Sequence, residues 1–129
     1  MKLLDDFFIV LERSVTETGF YTTIQLNPDH LVYTGHFPGF PVTPGVVQLQ
    51  IVHELLEKHL GRKLKLKTIP QCKFLKVLDP NETAQLVVHV EFTRMDELLH
   101  IKAWSENGPD IYFKLNAFYQ FISPEVLSD

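Results

Sequence analysis

The 129-residue sequence predicts an α+β domain in which an antiparallel sheet curves around one long helix. One segment, residues 46–60, is apolar on most sides of a helix. Segments with the alternation typical of strands lie before and after it, and tight-turn signals separate the later ones. No internal repeat, linker or low-complexity stretch divides the chain, so we expect a single domain over residues 1–129.

The predicted helix is apolar around most of its circumference, which indicates burial on more than one side. Thr43 is the expected N-cap, Pro44 suits the first helical position, and Gly61 supplies the C-terminal stop. The apolar positions are Val46, Val47, Leu49, Ile51, Val52, Leu55, Leu56 and Leu60.

Two strands are expected before the helix and four after it. Pro70 lies in the third strand and indicates a sheet edge or a bulge, and Asn107-Gly108 indicates a hairpin between the last two strands. In the last strand, Phe113, Leu115, Ala117, Tyr119 and Phe121 fall on one face, which we assign to the core. The predicted strands cover residues 7–15, 20–26, 62–77, 85–92, 98–105 and 111–122.

Composition and charge argue against one class of function and leave one basic segment to be explained. The net charge of −4 and the absence of a long basic run argue against nucleic-acid binding. Residues 62–67 form a short basic strand, whose cationic face is either a solvated edge or a docking surface for an acidic partner such as a carrier protein.

The cysteine count, the hydrophobic stretches and the spacing of possible ligand residues bear on location and metal binding. The single cysteine, Cys72, permits no intrachain disulfide, and we expect it to be structural. No stretch has the length of a membrane span, Asp5 and Asp6 interrupt any signal core, and no spacing resembles a metal site. We expect a cytoplasmic protein without a metal or cofactor.

The loop before the helix is the candidate site. Its prolines and glycines make a rigid approach to the helix, where the N–H groups of Gly45 and Val46 can bind an anion or polarise a carbonyl oxygen. His36 can move a proton near neutral pH. Taken alone, His36 is better explained as a surface histidine in a proline-rich turn, because an isolated histidine rarely indicates catalysis.

The motif His-Phe-Pro-Gly-x-Pro-Val-x-Pro-Gly-Val, at residues 36–46, resembles the signature of the hotdog-fold 3-hydroxyacyl-[acyl-carrier-protein] dehydratases. Residues 27–35 resemble that family's lead-in to its histidine and residues 72–82 its later strand and turn, so the resemblance covers roughly residues 5–122. Residues 40–49 also resemble the divergent dehydratases of aryl-polyene-type pigment clusters. The resemblance implies the hotdog topology and dehydration of a 3-hydroxyacyl thioester in fatty-acid or polyene-type biosynthesis.

The same resemblance implies roles for individual residues. His36 would be the base, the Gly45 N–H would hold the thioester oxygen, and the Val42 carbonyl would orient the histidine. Candidate substrate-binding residues are Phe37, Phe40, Val42 and Val46, and Phe74 and Tyr119 are further candidates for lining an acyl tunnel.

The sequence departs from the family at one position. The family has a carboxylate fourteen residues after its histidine, where this chain has Gln50. An amide cannot supply a proton, although it can hydrogen-bond a hydroxyl or a water. Glu54, one helical turn later, is a candidate substitute acid, with His53 close by, and its spacing also fits a surface residue.

Three functions therefore compete. The chain is a dehydratase whose acid is Glu54 or a group of a partner subunit, a catalytically silent acyl-binding subunit paired with an active relative, or an acyl thioesterase. The expected partners are an acyl carrier protein or CoA thioester substrate and a second hotdog subunit. That subunit would be identical, in a homodimer or higher oligomer, or related, in a heterodimer.

Overall fold

The computed structural model describes residues 2–35 and 39–122, which form a six-stranded antiparallel sheet and one long helix. A short 3₁₀ turn, Leu31–Tyr33, precedes the helix. The strands run in the order β1-β2-β4-β5-β6-β3 across the sheet. The elements are β1 (Phe8–Val15), β2 (Gly19–Leu26), α1 (Gly45–Leu60), β3 (Leu64–Phe74), β4 (Gln85–Met95), β5 (Leu98–Asn107) and β6 (Asp110–Phe121).

All six expected strands are present, with shifted ends. The strand expected over residues 62–77 is shorter, because β3 ends at Phe74. It lies at the edge of the sheet, and its pairing with β6 shifts register between Thr68 and Gln71, on either side of Pro70. The expectation that Pro70 marks an edge or a bulge is confirmed, since proline cannot donate to a sheet ladder.

Hairpins connect β4, β5 and β6, as the turn signals predict. Asn107 pairs with Asp110, and Gly108 adopts φ 58°, a left-handed conformation that suits glycine. The predicted core face of β6 is buried at all five positions: Phe113, Leu115, Ala117, Tyr119 and Phe121.

Helix α1 packs on this buried face of the sheet. Only Val46 and Lys58 among its sixteen residues are exposed, which confirms burial on more than one side. Gly61 ends the helix with φ 66° and donates its N–H to the Glu57 carbonyl. None of the helices in the described ranges is long and apolar enough to cross a membrane.

The start of α1 differs from the prediction. Pro44, not Thr43, is the N-cap residue, and no side chain caps the helix. The Thr43 hydroxyl instead lies 2.8 Å from the Tyr33 hydroxyl in a buried contact. The expected cap was wrong because Thr43 has a distant buried partner, which local sequence does not show.

Gly19 allows a close approach between β2 and β4. A Cβ atom at this position would lie 1.9 Å from the Val90 carbonyl oxygen, a backbone atom that cannot move aside alone. Gly35, in contrast, has open space around its Cα.

We expect Gly19→Ala to destabilise the protein by about 1–3 kcal/mol or more, because the added methyl group forces the two strands apart. Chemical denaturation measures this change in the free energy of unfolding. Gly35→Ala is the matched control and should change stability by no more than about 0.5 kcal/mol. Equal stabilities of the two variants would contradict the close approach of β2 and β4.

Candidate functional site

Thr43 fixes the backbone immediately before α1 through three hydrogen-bonding groups. Its N–H donates to the Leu78 carbonyl at 2.9 Å, and its carbonyl accepts from Gln48 Nε2 at 3.1 Å. Its hydroxyl contacts Tyr33, and burial raises the pKa of that phenol to about 12. Tyr33 therefore stays protonated at neutral pH, and the approach to the helix is held from three sides.

A cavity of about 440 Å³ opens at this helix start. Val42 and Gly45, both predicted as site residues, line it together. The full lining is Val42, Thr43, Pro44, Gly45, Gln48, Phe74, Leu75, Lys76, Val77 and Leu78. The side chains are mostly apolar, so the cavity can accept the carbon chain of a ligand next to a polar backbone.

Gly45 is packed against the ring of Phe74. A Cβ atom on Gly45 would lie 2.5 Å from Phe74 Cζ, so any larger residue would displace the ring. The absence of a side chain thus allows an aromatic wall to stand directly over the first residue of the helix.

The first turn of α1 presents backbone donors at the same place. The N–H groups of Val47 and Gln48 both donate to the Pro44 carbonyl. The N–H groups of Gly45 and Val46 precede any intrahelical acceptor and lie at the positive end of the helix dipole. A carbonyl oxygen placed in the cavity beside Gly45 can accept such a hydrogen bond.

Apolar side chains remain exposed around this site. Phe40 is 75% exposed, Val46 is 67% exposed and Phe74 is 50% exposed. Leu75 and Val77 are also exposed, and Val42 is half-buried. Several large apolar side chains left exposed near one cavity mark a place where a ligand or another protein can bind.

Gln50 and Glu54 lie on a different side of the helix. Residues 45 and 50 are separated by about 140° of rotation in an α-helix. Gln50 Nε2 donates to Glu54 Oε2 at 2.8 Å. Glu54 also accepts the N–H of Leu3 on both oxygens, at 2.9 and 2.8 Å, and the N–H of Leu4 at 2.8 Å.

Glu54 is therefore a structural anchor for the start of the chain. Its carboxylate oxygens are occupied by donors of the same subunit, which favours a structural role over transfer of a proton to a substrate. His53, the neighbour considered beside it, lies 3.2 Å from Glu57 and packs near the buried ring of Tyr119. Tyr119 lies in the core beneath the helix.

The predicted base, His36, and the predicted substrate-binding residue Phe37 lie outside the described residues. The described part of the site is therefore the start of α1 and the cavity beside it.

Sequence reasoning missed Gln48 and the Tyr33–Thr43 contact. Gln48 is buried, lines the cavity and holds the Thr43 carbonyl. The helical period could have indicated this role. Gln48 lies four residues before the apolar Val52 and therefore on the same, buried face of the helix, where a polar side chain needs a hydrogen-bond partner.

No cluster of three or more His, Cys, Asp or Glu side chains suited to a metal occurs within residues 2–35 and 39–122. Cys72 is partly buried in β3, and burial raises the pKa of its thiol, which disfavours the reactive thiolate.

Solved structures share this architecture. A chain of the dehydratase heterocomplex ApeI:P from Xenorhabdus doucetiae superposes with a TM-score of 0.70 at 20% identity, over 87% of this chain and 96% of that one. A hypothetical thioesterase from Streptococcus pneumoniae with coenzyme A superposes with a TM-score of 0.59 at 8% identity, over 92% and 90% of the two chains. At these identities the likeness shows the fold, and the expected hotdog fold is confirmed.

Curated relatives include 3-hydroxyacyl-[acyl-carrier-protein] dehydratases. The 3-hydroxyacyl-[acyl-carrier-protein] dehydratase FabZ of Chloroflexus aggregans is 30% identical over 99 residues, which cover 71% of this chain and 67% of the relative. The protein of the same description from Clostridium acetobutylicum is 27% identical over 77 residues, 54% of this chain and 53% of the relative. The chain thus spans about half to two thirds of the length of these relatives.

A protein family described as ApeI-like (ApeI dehydratase) matches residues 12–108 of this chain. The matched range contains α1, the strands β3 and β4, and the residues that line the Gly45 cavity. This match includes most of the chain and agrees with the resemblance carried by residues 36–46. The chain belongs to the ApeI-like family of hotdog dehydratases.

Proposed function

We propose that the chain dehydrates a 3-hydroxyacyl thioester, carried by acyl carrier protein or CoA, to the 2-enoyl thioester. The observation that carries this proposal is the apolar cavity at the N-terminus of α1, where Gly45 is the first helical residue. Membership of a dehydratase family supports the same reaction. Fatty-acid or polyene-type synthesis is the proposed setting, and a cytoplasmic location stays a prediction.

The reaction begins with the thioester carbonyl oxygen beside the Gly45 N–H. Hydrogen bonding there stabilises the negative charge that develops on the oxygen when the neighbouring carbon loses a proton. His36 accepts that proton, the electron pair forms the new double bond, and the C3 hydroxyl leaves. The hydroxyl takes up one proton and departs as water, so the products are the enoyl thioester and water.

The source of that last proton is the open step of the mechanism. His36, once protonated, can return its proton to the departing hydroxyl while Gln50 orients this group by a hydrogen bond. Glu54 is the other proposed acid, either directly or through water. The amide donors on its oxygens favour the histidine route.

A second subunit is part of the proposal. β3 pairs with β6 on one side, and its other edge has no strand partner within the described ranges. The exposed apolar side chains around Val46 adjoin it, and Gly45 and Gln50 face different sides of α1. Two subunits joined along this region would cover the apolar surface and bring Gln50 of one subunit toward the cavity of the other.

The partner can be a second copy or a related hotdog subunit. A structural neighbour is described as a heterocomplex, which supports the second choice. In the heteromeric case, an acyl-binding but silent role for this chain is the alternative function, favoured by Gln50 at the position of the family's carboxylate. Thioester hydrolysis is the remaining alternative and would release free thiol without an enoyl product.

Dehydration depends on His36 in this mechanism. The purified protein should convert a 3-hydroxyacyl thioester to its enoyl form, measured by ultraviolet absorbance and mass spectrometry. His36→Ala should lower the rate by about 10²–10⁴-fold, the usual contribution of a general base. His100→Ala, on the outer face of the sheet, is the control and should keep the wild-type rate. A wild-type protein that is inert both alone and with a co-expressed relative would refute the enzyme assignment.

The acid is tested at two positions of α1. Glu54→Gln should leave turnover within about threefold of wild type if His36 returns the proton, and should lower it by 10²-fold or more if Glu54 is the acid. Its stability is measured in parallel, because loss of the carboxylate also releases Leu3 and Leu4. A large rate increase in Gln50→Glu would identify Gln50 as a lost acid and would favour the silent-subunit alternative.

The subunit interface is tested by charge insertion. Val46→Lys should weaken dimerisation at least tenfold in sedimentation experiments, because it buries an unpaired cation in the interface. Val15→Lys is the matched control: Val15 is 70% exposed, on the strand at the opposite edge of the sheet. Equal effects of the two variants, or a monomeric wild type, would refute the proposed interface.

A further inference from the structure

A second open cavity, of about 500 Å³, lies on the outer face of the sheet, where β5, β6 and β3 run side by side. Its size falls in the range of about 300–1,000 Å³ typical of small-molecule sites. No carboxylate is among the residues that line it. The side chains that the argument uses are Gln71, Lys102, Trp104, Ile111, Lys114 and Asn116.

The ring of Trp104 is held rigidly beside this cavity. His89 stacks on it with ring centroids 4.7 Å apart and an interplanar angle of 6°. The indole N–H donates to Glu106 at 3.2 Å, and Glu106 lies 3.4 Å from His89. His89 belongs to β4 and Lys114 to β6, so the face of the indole that His89 leaves uncovered is turned toward β6.

Two lysines, Lys102 and Lys114, line the cavity beside that uncovered face, and Lys73 lies next to Lys114 on β3. Trp104 pairs in register with Lys114, and Lys114 pairs directly with Lys73 of β3. Lys102 lies two residues before Trp104 on the same face of β5. Two cations directly opposite each other destabilise a sheet, and none of these lysines has an ion-pair partner in the described part of the chain.

We infer that this outer cavity binds a compact ligand that combines a flat aromatic ring with phosphate groups, as a nucleoside diphosphate does. The ring would stack on the open face of Trp104, and the phosphates would lie between Lys102 and Lys114, within reach of the charge on Lys73. Ligand charge would neutralise the repulsion between Lys73 and Lys114. Gln71 and Asn116 offer hydrogen bonds to a sugar or base.

A small ligand fits these observations better than a protein surface does. Its aromatic wall is fixed before any ligand arrives, which lowers the cost of ordering on binding. The site lies on the opposite face of the sheet from α1 and is separate from the Gly45 cavity.

Trp104 is the only tryptophan of the chain and reports on this site directly. ADP is titrated against the full-length protein while the indole fluorescence is followed, with adenosine and pyrophosphate in separate titrations. ADP should give a saturable change and bind at least tenfold more tightly than either fragment. Affinity should fall as salt rises, because the contacts are ionic.

Charge variants locate the binding. Lys114→Gln and Lys102→Gln, at the two lysines that line the cavity, should each weaken ADP binding by about tenfold, the equivalent of one charge-assisted hydrogen bond. Lys114→Gln should also raise the melting temperature of the ligand-free protein, because it removes the like-charge pair with Lys73. Lys65→Gln is the matched control, because Lys65 also lies on an outer strand, β3, but pairs with Gln120 of β6 and does not line the cavity.

Several results would overturn the inference. They are the absence of a saturable response to ADP, an equal loss of affinity in Lys65→Gln, and pyrophosphate binding as tight as that of ADP. A change of oligomeric state in Lys114→Gln, seen by sedimentation, would identify this face as a subunit interface instead.

Discussion

The hydrogen bonds of Thr43 are the constraint on which the candidate site depends. A helix that begins at a proline N-cap has no side-chain cap to fix its first turn, so its entry angle must be set by something else. Thr43 supplies this through its hydrogen bonds with Leu78, Tyr33 and Gln48, which tie it to the loop after β3, to the 3₁₀ turn and to the helix itself. The position of the Gly45 N–H, and of the cavity it lines, follows from that clamp.

Phe74 extends the same logic to the sheet edge. Its ring packs against Gly45 at the end of β3, so the last residue of the edge strand forms a wall of the cavity. Any protein that pairs with β3 would also approach this wall. In the proposed dimer, assembly and the shape of the cavity would therefore be coupled through β3, and the partner would cover the apolar side chains left exposed there.

Local sequence patterns correctly predicted features that depend on neighbouring residues of the chain. The helix ends at Gly61 as expected because a left-handed glycine terminates a helix through its own backbone, and the alternation along β6 places its five apolar residues in the core. The hotdog strand order came from the resemblance, since periodicity does not say that β3 crosses to the far edge beside β6.

Contacts between distant residues account for what was missed. Thr43 was expected to cap α1, but its buried partner Tyr33 is ten residues earlier. Gln48 was overlooked because a polar residue in an apolar helix gives no indication of which backbone carbonyl it holds. The partners of Glu54 are fifty residues away, so its spacing could suggest an acid but could not show an anchor.

That anchor also explains why an amide suits position 50. Glu54 fixes the start of the chain by accepting backbone N–H groups, and Gln50 completes the arrangement by donating a further hydrogen bond from one turn earlier. A carboxylate at position 50 would instead place two like charges at i,i+4 spacing, where they repel. The chain thus replaces a proton donor with a hydrogen-bond donor that its own fold uses. In the proposed mechanism, the proton that a carboxylate at position 50 would supply comes from His36 or from a partner subunit.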